Sequence, residues 1–443
     1  MENTMDITIT PAKLEGTVTP PPSKSQAHRA LIAAALADGE SVISNVAFSQ
    51  DIEATLDCLE NLGAHFVRDG STVTVQGMAA NTMSPLRRLA YPRLDCGESG
   101  STLRFLIPVA LAVRGGGIFS GRGRLMERPQ KPYFDLFDEK SIFYEQKDGV
   151  LTVTGMLTPG EYRLPGNVSS QFVTGLLYAL PLLGGDSKIV LTTLLESTDY
   201  VSMTLDTLKT FGIQVKWENT SILSIPGRQT YRPCDMAVEA DWSQAGFWYA
   251  AQVLGNPVMV AGMNSRSIQG DREFLEWVRM VKNEPITEGF TVPIWGSGSE
   301  EKQAASPSGG CAISIDVSQN PDLVPPLAVM GALMNGMLQM ENAARLRIKE
   351  SDRLASVTQV LNALGADVTE GADFLTIRGK EMLSGGVKVD SFNDHRIAMM
   401  AAIAATRCEK PVTITGAQCV AKSYPDFWEE YEKLGGKIKR TEN

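Results

Sequence analysis

The strongest constraint on this chain is a pattern that returns six times. A short cluster of Ser, Asn, Asp and Gly is followed each time by a long apolar helical run: PPPSKSQAHRALIAAAL, DCGESGSTLRFLIPVAL, LPGNVSSQFVTGLLYAL, VEADWSQAGFWYAAQVL, VSQNPDLVPPLAVMGAL and VDSFNDHRIAMMAAIAA. With Ser23, Ser99, Ser169, Ser243, Asn320 and Asp394 as markers, the intervals are 76, 70, 74, 77 and 74 residues. Six such units account for nearly all of the 443 residues. A fixed internal period marks a supersecondary unit that is repeated, so the unit must be read before the whole.

Each unit holds a second, more amphipathic helix, as in IEATLDCLENLGAHFV, MTLDTLKTFGIQVKW, RLASVTQVLNALGADVTE and FWEEYEKLGGKIKR. Gly63, Gly212, Gly365 and Gly435 stand where such a helix would stop in a left-handed residue. The alternating segments that follow, Thr72 to Gln76 and Phe374 to Arg378, read as half-buried strands. The unit is therefore βαβαββ. Propeller blades carry no helices, and an open solenoid needs polar capping repeats that this chain lacks. Two groups of three units suit the usual domain size better. The first helix of each unit is apolar nearly all round and belongs inside, while the second should face solvent. The passage between groups is expected near residues 230–240, and the strand-like Asp6 to Thr10 is expected to pair back into the last group.

Composition narrows the function. Lys plus Arg is 41 against 51 Asp plus Glu, a formal charge of -10, and no block of basic residues occurs. That argues against nucleic-acid binding but leaves room for a local basic pocket. The N-terminus has no basic stretch leading into an apolar run, so no secretory signal is expected. The apolar stretch from Leu323 to Met340, broken by Pro325, Pro326, Asn335 and Gln339, reads as a buried helix preceded by a turn rather than a membrane span. Cys58, Cys96, Cys234, Cys311, Cys408 and Cys419 form no C-x-x-C pair, so a reduced, cytoplasmic protein with small buried thiols is expected. Three histidines leave little scope for a multi-histidine metal centre.

Ser and Asn at a helix start cap free N–H groups, and the aligned peptide dipoles favour a bound anion there. Capping alone explains any one of these starts. The cations sharpen the reading. Lys24 and Arg29 flank the first start, Arg104 follows the second and Arg396 the last. Arg128, the pair Lys349 and Arg353, and Lys422 stand in three further clusters. Arg offers a two-pronged fork for carboxylate or phosphate, and Lys a mobile point charge. If these starts converge, an acidic protein acquires an anion-binding cleft. Asp322, Glu350, Asp394 and Glu98 lie among the cations, either as ion-pair partners or as carboxylates that handle a proton. Neither G-x-x-x-x-G-K-[ST] nor a G-x-G-x-x-G after a strand is present, which sets aside kinase and dehydrogenase readings.

SKSQAHR at Ser23–Arg29, CGESGSTLRF at Cys96–Phe105, SSQF at Ser169–Phe172, RIKESDR at Arg347–Arg353, NDHR at Asn393–Arg396 and AKSYPDF at Ala421–Phe427 resemble the 5-enolpyruvylshikimate-3-phosphate synthase family. The resemblance runs from about residue 13 to 435. It implies an α/β fold of two domains, an inside-out α/β barrel of six βαβαββ repeats with three per domain. One domain would span residues 22–237 and the other 1–21 with 238–443, with the active site in the cleft between them. It also implies transfer of the enolpyruvyl (1-carboxyvinyl) group of phosphoenolpyruvate to the 5-hydroxyl of shikimate 3-phosphate, through a tetrahedral intermediate and with release of phosphate. No cofactor and no metal are implied. A cytoplasmic monomer without nucleic-acid or membrane partners is expected, with glyphosate as a candidate inhibitor.

By the same resemblance, Lys24, Ser25, Arg29, Ser169, Ser170, Gln171, Tyr200, Asp322 and Lys349 would hold shikimate 3-phosphate. Lys24, Gly100, Arg128, Gln171, Arg353, Arg396 and Lys422 would meet phosphoenolpyruvate. Asp322, Glu350 and Lys24 are the expected proton-transfer groups, with His395 a weaker candidate. Three departures stand out: Glu98 in a loop near the enolpyruvyl donor, Phe105 where many members have Pro, and Arg345 where some have Asn. The nearest rival, UDP-N-acetylglucosamine enolpyruvyl transferase, usually carries a cysteine in the loop matching Ile118–Arg128, and this segment has none. An idle scaffold on the same fold has no physical need for Lys24, Arg128, Asp322, Glu350, Arg353, Arg396 and Lys422 together.

Overall fold

The computed structural model describes residues 4–79, 90–282, 304–305 and 311–442. The chain divides into two compact units, Pro22–Glu239 and Met1–Pro21 with Ala240–Asn443. Each unit has its own apolar core.

The unit Pro22–Glu239 holds helices α1 (Lys24–Leu36), α2 (Gln50–Leu62), α3 (Gly100–Arg114), α4 (Lys131–Lys140), α5 (Ser170–Ala179) and α6 (Thr198–Thr210). Its three four-stranded sheets share one plan. In the second, Arg93–Asp95 runs parallel to Gly116–Ser120, which pairs antiparallel with Val150–Thr154, and that strand pairs in turn with Phe143–Lys147. The third repeats this with Gly160–Leu164, Ser187–Leu191, Ile222–Ile225 and Lys216–Asn219. Each unit is thus a parallel βαβ crossover followed by a helix and a hairpin. In the first sheet the place of the leading strand is filled from far along the chain, where Met236–Ala237 pairs parallel with Glu40–Ser44.

The other unit holds α7 (Trp242–Val253), α8 (Phe274–Lys282), α9 (Val324–Ala332), α10 (Arg353–Ala363), α11 (His395–Ala405) and α12 (Phe427–Lys433). Cys311–Asp316, Gly336–Glu341, Leu375–Arg378 and Asp367–Glu370 follow the same sheet order, with Ala304–Ala305 added at the edge. Lys388–Asp390 and Val412–Thr415 begin the last sheet. Met5–Thr10 completes it, between Val412–Thr415 and Lys437–Glu442. The remaining unit opens with Gly16–Val18 parallel to Val258–Val260, and the residues that follow α8 lie outside the described ones.

The βαβαββ reading therefore holds, as does the return of the N-terminal strand into the last group. Leading helices are buried, α11 along its whole length, whereas their partners bury one face. Gly63, Gly212, Gly365 and Gly435 all have positive φ at helix ends, between 80° and 114°. One expectation is corrected. Leu323 to Met340 is not a single helix: α9 stops at Ala332, and Gly336–Glu341 is a strand. Leu333, Met334 and Asn335 turn the chain between them, and Gly336, which opens the strand, takes φ 141°, a region open to glycine. No helix among the described residues is long and apolar enough to cross a membrane.

Candidate active site

The repeated helix starts are capped as the sequence suggested, with two shifts. Ser23, Ser99 and Ser169 accept from the N–H groups of Gln26, Thr102 and Gln171, and Asp394 accepts from Arg396. In the fourth unit the cap is Asp241, which accepts from Gln244, and Ser243 lies within the helix. At the fifth, Pro321–Leu323 forms a single tight turn before α9, and no side chain caps it. That turn carries Asp322.

Two groups of candidate residues form in the unit Pro22–Glu239. Lys24 Nζ meets Asp51 Oδ2 at 2.6 Å. Arg29 is 2% exposed. Its Nε donates to Thr204 Oγ1 at 2.9 Å, Nη1 to the Ser25 carbonyl at 2.8 Å and Nη2 to the Tyr200 carbonyl at 2.8 Å. Its guanidinium carbon also lies 5.3 Å from the Phe105 ring centre and 5.7 Å from that of Tyr200. Burial pulls the Arg29 pKa down, with Tyr178 and Tyr200 opposing. Lys24, Ser25, Arg29 and Tyr200 are thereby tied into one neighbourhood.

The second group is built around Arg104 and Arg128. Gln171 Oε1 accepts from Arg104 Nη1 at 2.8 Å, and Gln171 Nε2 donates to Ser101 Oγ at 3.0 Å. This fixes which way the amide points and joins the start of α5 to that of α3. Gly100 is the first residue of α3, and a Cβ there would stand 2.7 Å from Arg128 Nη1. The Arg128 guanidinium thus lies against bare backbone. Ser170 is buried beside the Ser169 cap. The carboxylate of Glu98 sits against Gly123, where a Cβ would meet it at 2.5 Å.

In the other unit the candidates form one ionic network. Arg353, 1% exposed, donates from Nη1 to Asp322 at 2.7 Å, from Nη2 to Glu350 at 2.7 Å and from Nε to Asp394 at 2.8 Å. Lys349 Nζ lies 3.1 Å from Asp322, and Arg396 donates to the Asp322 carbonyl at 3.0 Å. Lys422 Nζ donates to the carbonyl of Asn393 at 2.7 Å. Burial alone would raise the Asp322 pKa, but Lys349, Arg396 and Arg353 together hold it well below the usual carboxylate range. Burial also dominates at Lys349 and lowers its pKa despite Asp322. For Arg353 the outcome reverses: burial disfavours the charge, yet Asp394, Glu350 and Asp322 outweigh it and raise the pKa.

Within this network Lys349, Arg353 and Arg396 balance Asp322, Glu350 and Asp394. An arriving anion must therefore compete with carboxylates that are already seated. The cluster offers a carboxylate held ionised, able to accept a hydrogen bond from a hydroxyl, beside cations able to stabilise negative charge. Among the described residues, no group of three or more His, Cys, Asp or Glu side chains is arranged to hold a metal ion.

Three supporting residues carry no substrate role by the resemblance, although Arg104 and Asp394 already stand among the charged groups at the helix starts. Asp394 has a local signal, an acid directly before His395-Arg396 at a helix start. Arg104 lies one helical turn beyond Gly100. Asp51 had no signal, since its partner Lys24 is 27 residues away. Arg345 lies at the edge of the network and donates to the Ser318 carbonyl. His65 is exposed on a strand.

The backbone is shared with solved enolpyruvyl transferases. It matches EPSP synthase from Acinetobacter baumannii at a TM-score of 0.74 and 23% identity, covering 99% of this chain and 100% of that one. It matches the enolpyruvyl transferase NikO from Streptomyces tendae at 0.74 and 17%, covering all of both chains. These likenesses speak for the fold. In sequence, the family model for EPSP synthase (3-phosphoshikimate 1-carboxyvinyltransferase) matches residues 9–431, and the chain belongs to that family. It is 46% identical to the 3-phosphoshikimate 1-carboxyvinyltransferase of Clostridium kluyveri over 98% of each chain. It is 44% identical to that of Clostridium novyi, over 99% of this chain and 98% of the relative.

Proposed function

We propose that this protein transfers the enolpyruvyl group of phosphoenolpyruvate to shikimate 3-phosphate, in the shikimate pathway to aromatic amino acids. The observation that carries this is the family match across residues 9–431, with relatives alike along nearly their whole length. The two anion-suited residue groups of one unit and the ionic network of the other fit a reaction between two phosphorylated acids.

Lys24, Ser25, Arg29, Ser169, Ser170, Gln171, Tyr200, Asp322 and Lys349 would hold shikimate 3-phosphate. Gly100, Arg128, Arg353, Arg396 and Lys422 would receive phosphoenolpyruvate, with Lys24 and Gln171 shared. The depressed pKa of Asp322 keeps it ionised to take the proton of the 5-hydroxyl as that oxygen bonds to C2 of the enolpyruvyl group. The methylene carbon gains a proton from Glu350 or Lys24, giving a tetrahedral adduct. Return of a proton from the new methyl group, with loss of inorganic phosphate, restores the double bond. Lys24 and the arginines stabilise charge throughout. Glyphosate, itself an anion, would compete for the Gly100 and Arg128 neighbourhood, and the protein would act as a cytoplasmic monomer.

Phosphate release from purified protein given shikimate 3-phosphate and phosphoenolpyruvate tests the reading, with UDP-N-acetylglucosamine as the competing acceptor. Turnover with the first acceptor and none with the second is expected. No release with shikimate 3-phosphate in the presence of a chelator would overturn it. Glyphosate titration and sedimentation test the two finer points.

A further inference from the structure

A chain of buried polar groups crosses the core of the unit Pro22–Glu239 without touching solvent. His28 lies on α1 between Lys24 and Arg29 and is 0% exposed. Its Nδ1 stands 2.8 Å from Thr55 Oγ1 on α2. Thr55 Oγ1 is 2.6 Å from Thr102 Oγ1 on α3 and 3.1 Å from the carbonyl of Asp51. Thr102 Oγ1 donates to Ser99 Oγ at 2.7 Å, and Ser99 caps α3 by accepting from the Thr102 N–H at 3.1 Å. His28, Thr55 and Thr102 are fully buried, and Ser99 nearly so. The Phe105 ring meets the imidazole edge-on at 6.5 Å and also faces the Arg29 guanidinium.

Such a chain is costly among apolar side chains, and His28 Nε2 has no hydrogen-bond partner among the described residues. Apolar packing would fill the same volume with less penalty. What polar groups add, and apolar ones cannot, is register: each hydrogen bond fixes a distance and a direction. The three elements joined are those that carry Lys24 with Ser25, Asp51, and Ser99 with Gly100. Thr55 is the junction, since it stands on α2 and meets His28 on α1 and Thr102 on α3.

We infer that Thr55, with His28 and Thr102, is a positioning residue that sets the α1 start against the α3 start. The register it sets is that of the two backbone turns meant for the two substrates. The inference rests on placing shikimate 3-phosphate at the α1 start and phosphoenolpyruvate at the α3 start. A purely structural role would cost stability and leave substrate use alone. A positioning role must raise both KM values together.

The test compares Thr55→Val, which keeps the shape and removes the hydroxyl, with Thr55→Ser, which keeps the hydroxyl. Thr55→Val is expected to raise the KM of both substrates by about tenfold, as displacement of binding groups does. Thr55→Ser keeps the hydroxyl's hydrogen bonds and is expected to hold both to within about twofold of the parent. A lower melting temperature with both KM values unchanged would overturn the inference, as would a serine variant no better than valine. Should the valine variant fail to fold, the imidazole resonance of His28 in the unaltered protein decides. It is expected to shift on saturation with shikimate 3-phosphate, and an unmoved resonance refutes the link. Ser25→Ala serves as the control: unchanged shikimate 3-phosphate affinity there would refute the substrate placement instead.

Discussion

Arg353 Nε donates to Asp394 Oδ2 at 2.8 Å, and neither side chain is more than 1% exposed. Asp394 also accepts from Ser351 Oγ at 3.0 Å and caps the start of α11 through the Arg396 N–H. One buried carboxylate therefore orients the Arg353 side chain and fixes the helix start that carries Arg396, both proposed for phosphoenolpyruvate, without itself being assigned to that substrate.

Removing the charge should expose this dependence. Asp394→Asn leaves Arg353 buried against one carboxylate fewer, and breaking a buried pair costs on the order of 3 kcal/mol. Urea unfolding should show that loss. The KM for phosphoenolpyruvate should rise more than that for shikimate 3-phosphate, and equal rises would assign Asp394 to folding alone.

Gly100→Ala tests the close approach to Arg128. No positive φ is required at Gly100, so the added methyl acts by crowding the guanidinium rather than by straining the backbone. The KM for phosphoenolpyruvate should increase about tenfold or more, the scale expected when a binding group is displaced. Calorimetry should find shikimate 3-phosphate affinity little changed.

Glu350→Gln keeps an oxygen acceptor for Arg353 Nη2 and removes the exchangeable proton. Turnover should fall by at least about a hundredfold, the scale of general acid–base catalysis. Shikimate 3-phosphate should still bind. Parallel loss of both would make Glu350 a structural anchor of Arg353.

Acid stability should report His28. Burial first, then Lys24 and Arg29, hold its pKa well below the ordinary 6.5, so the folded ring stays neutral. Above pH 6.5 the unfolded ring is neutral too, and nothing is lost. Below it the unfolded chain binds a proton that the folded one refuses, so stability falls as pH falls, by up to about 1.4 kcal/mol per pH unit. The depressed Asp322 adds its own loss only below about pH 4, where an unfolded carboxylate protonates. His28→Asn should flatten the slope between these limits, measured by melting temperature against pH, and an unchanged slope would exclude His28 as its source.

The repeat was legible because helix starts, apolar runs and glycine stops are local patterns, and each is written within a few residues of Ser23, Ser99 or Gly63. The hidden part is pairing over distance. Nothing near Asp51 announces Lys24, and nothing near Thr55 announces both His28 and Thr102. Such contacts depend on how α1, α2 and α3 pack, which no single window contains. The misread stretch from Leu323 to Met340 failed for a related reason: its strand contributes only Leu338 and Met340 to the core, too short an alternation to stand out from the apolar run before it.

The two units are closed by strands drawn from opposite ends of their own sequence, and this fixes an order of assembly during synthesis. The unit Pro22–Glu239 has its last strand once Met236–Ala237 has left the ribosome, and the Ser23 N–H can then donate to the Glu239 carbonyl. Met5–Thr10 is made before the unit Pro22–Glu239 yet must wait for Val412–Ile414 and Lys437–Glu442, which are made after it. A strand made ahead of the unit Pro22–Glu239 thus finds its place only after that unit is complete. A ribosome stalled between these two points should carry one finished unit and an N-terminal strand still without its sheet.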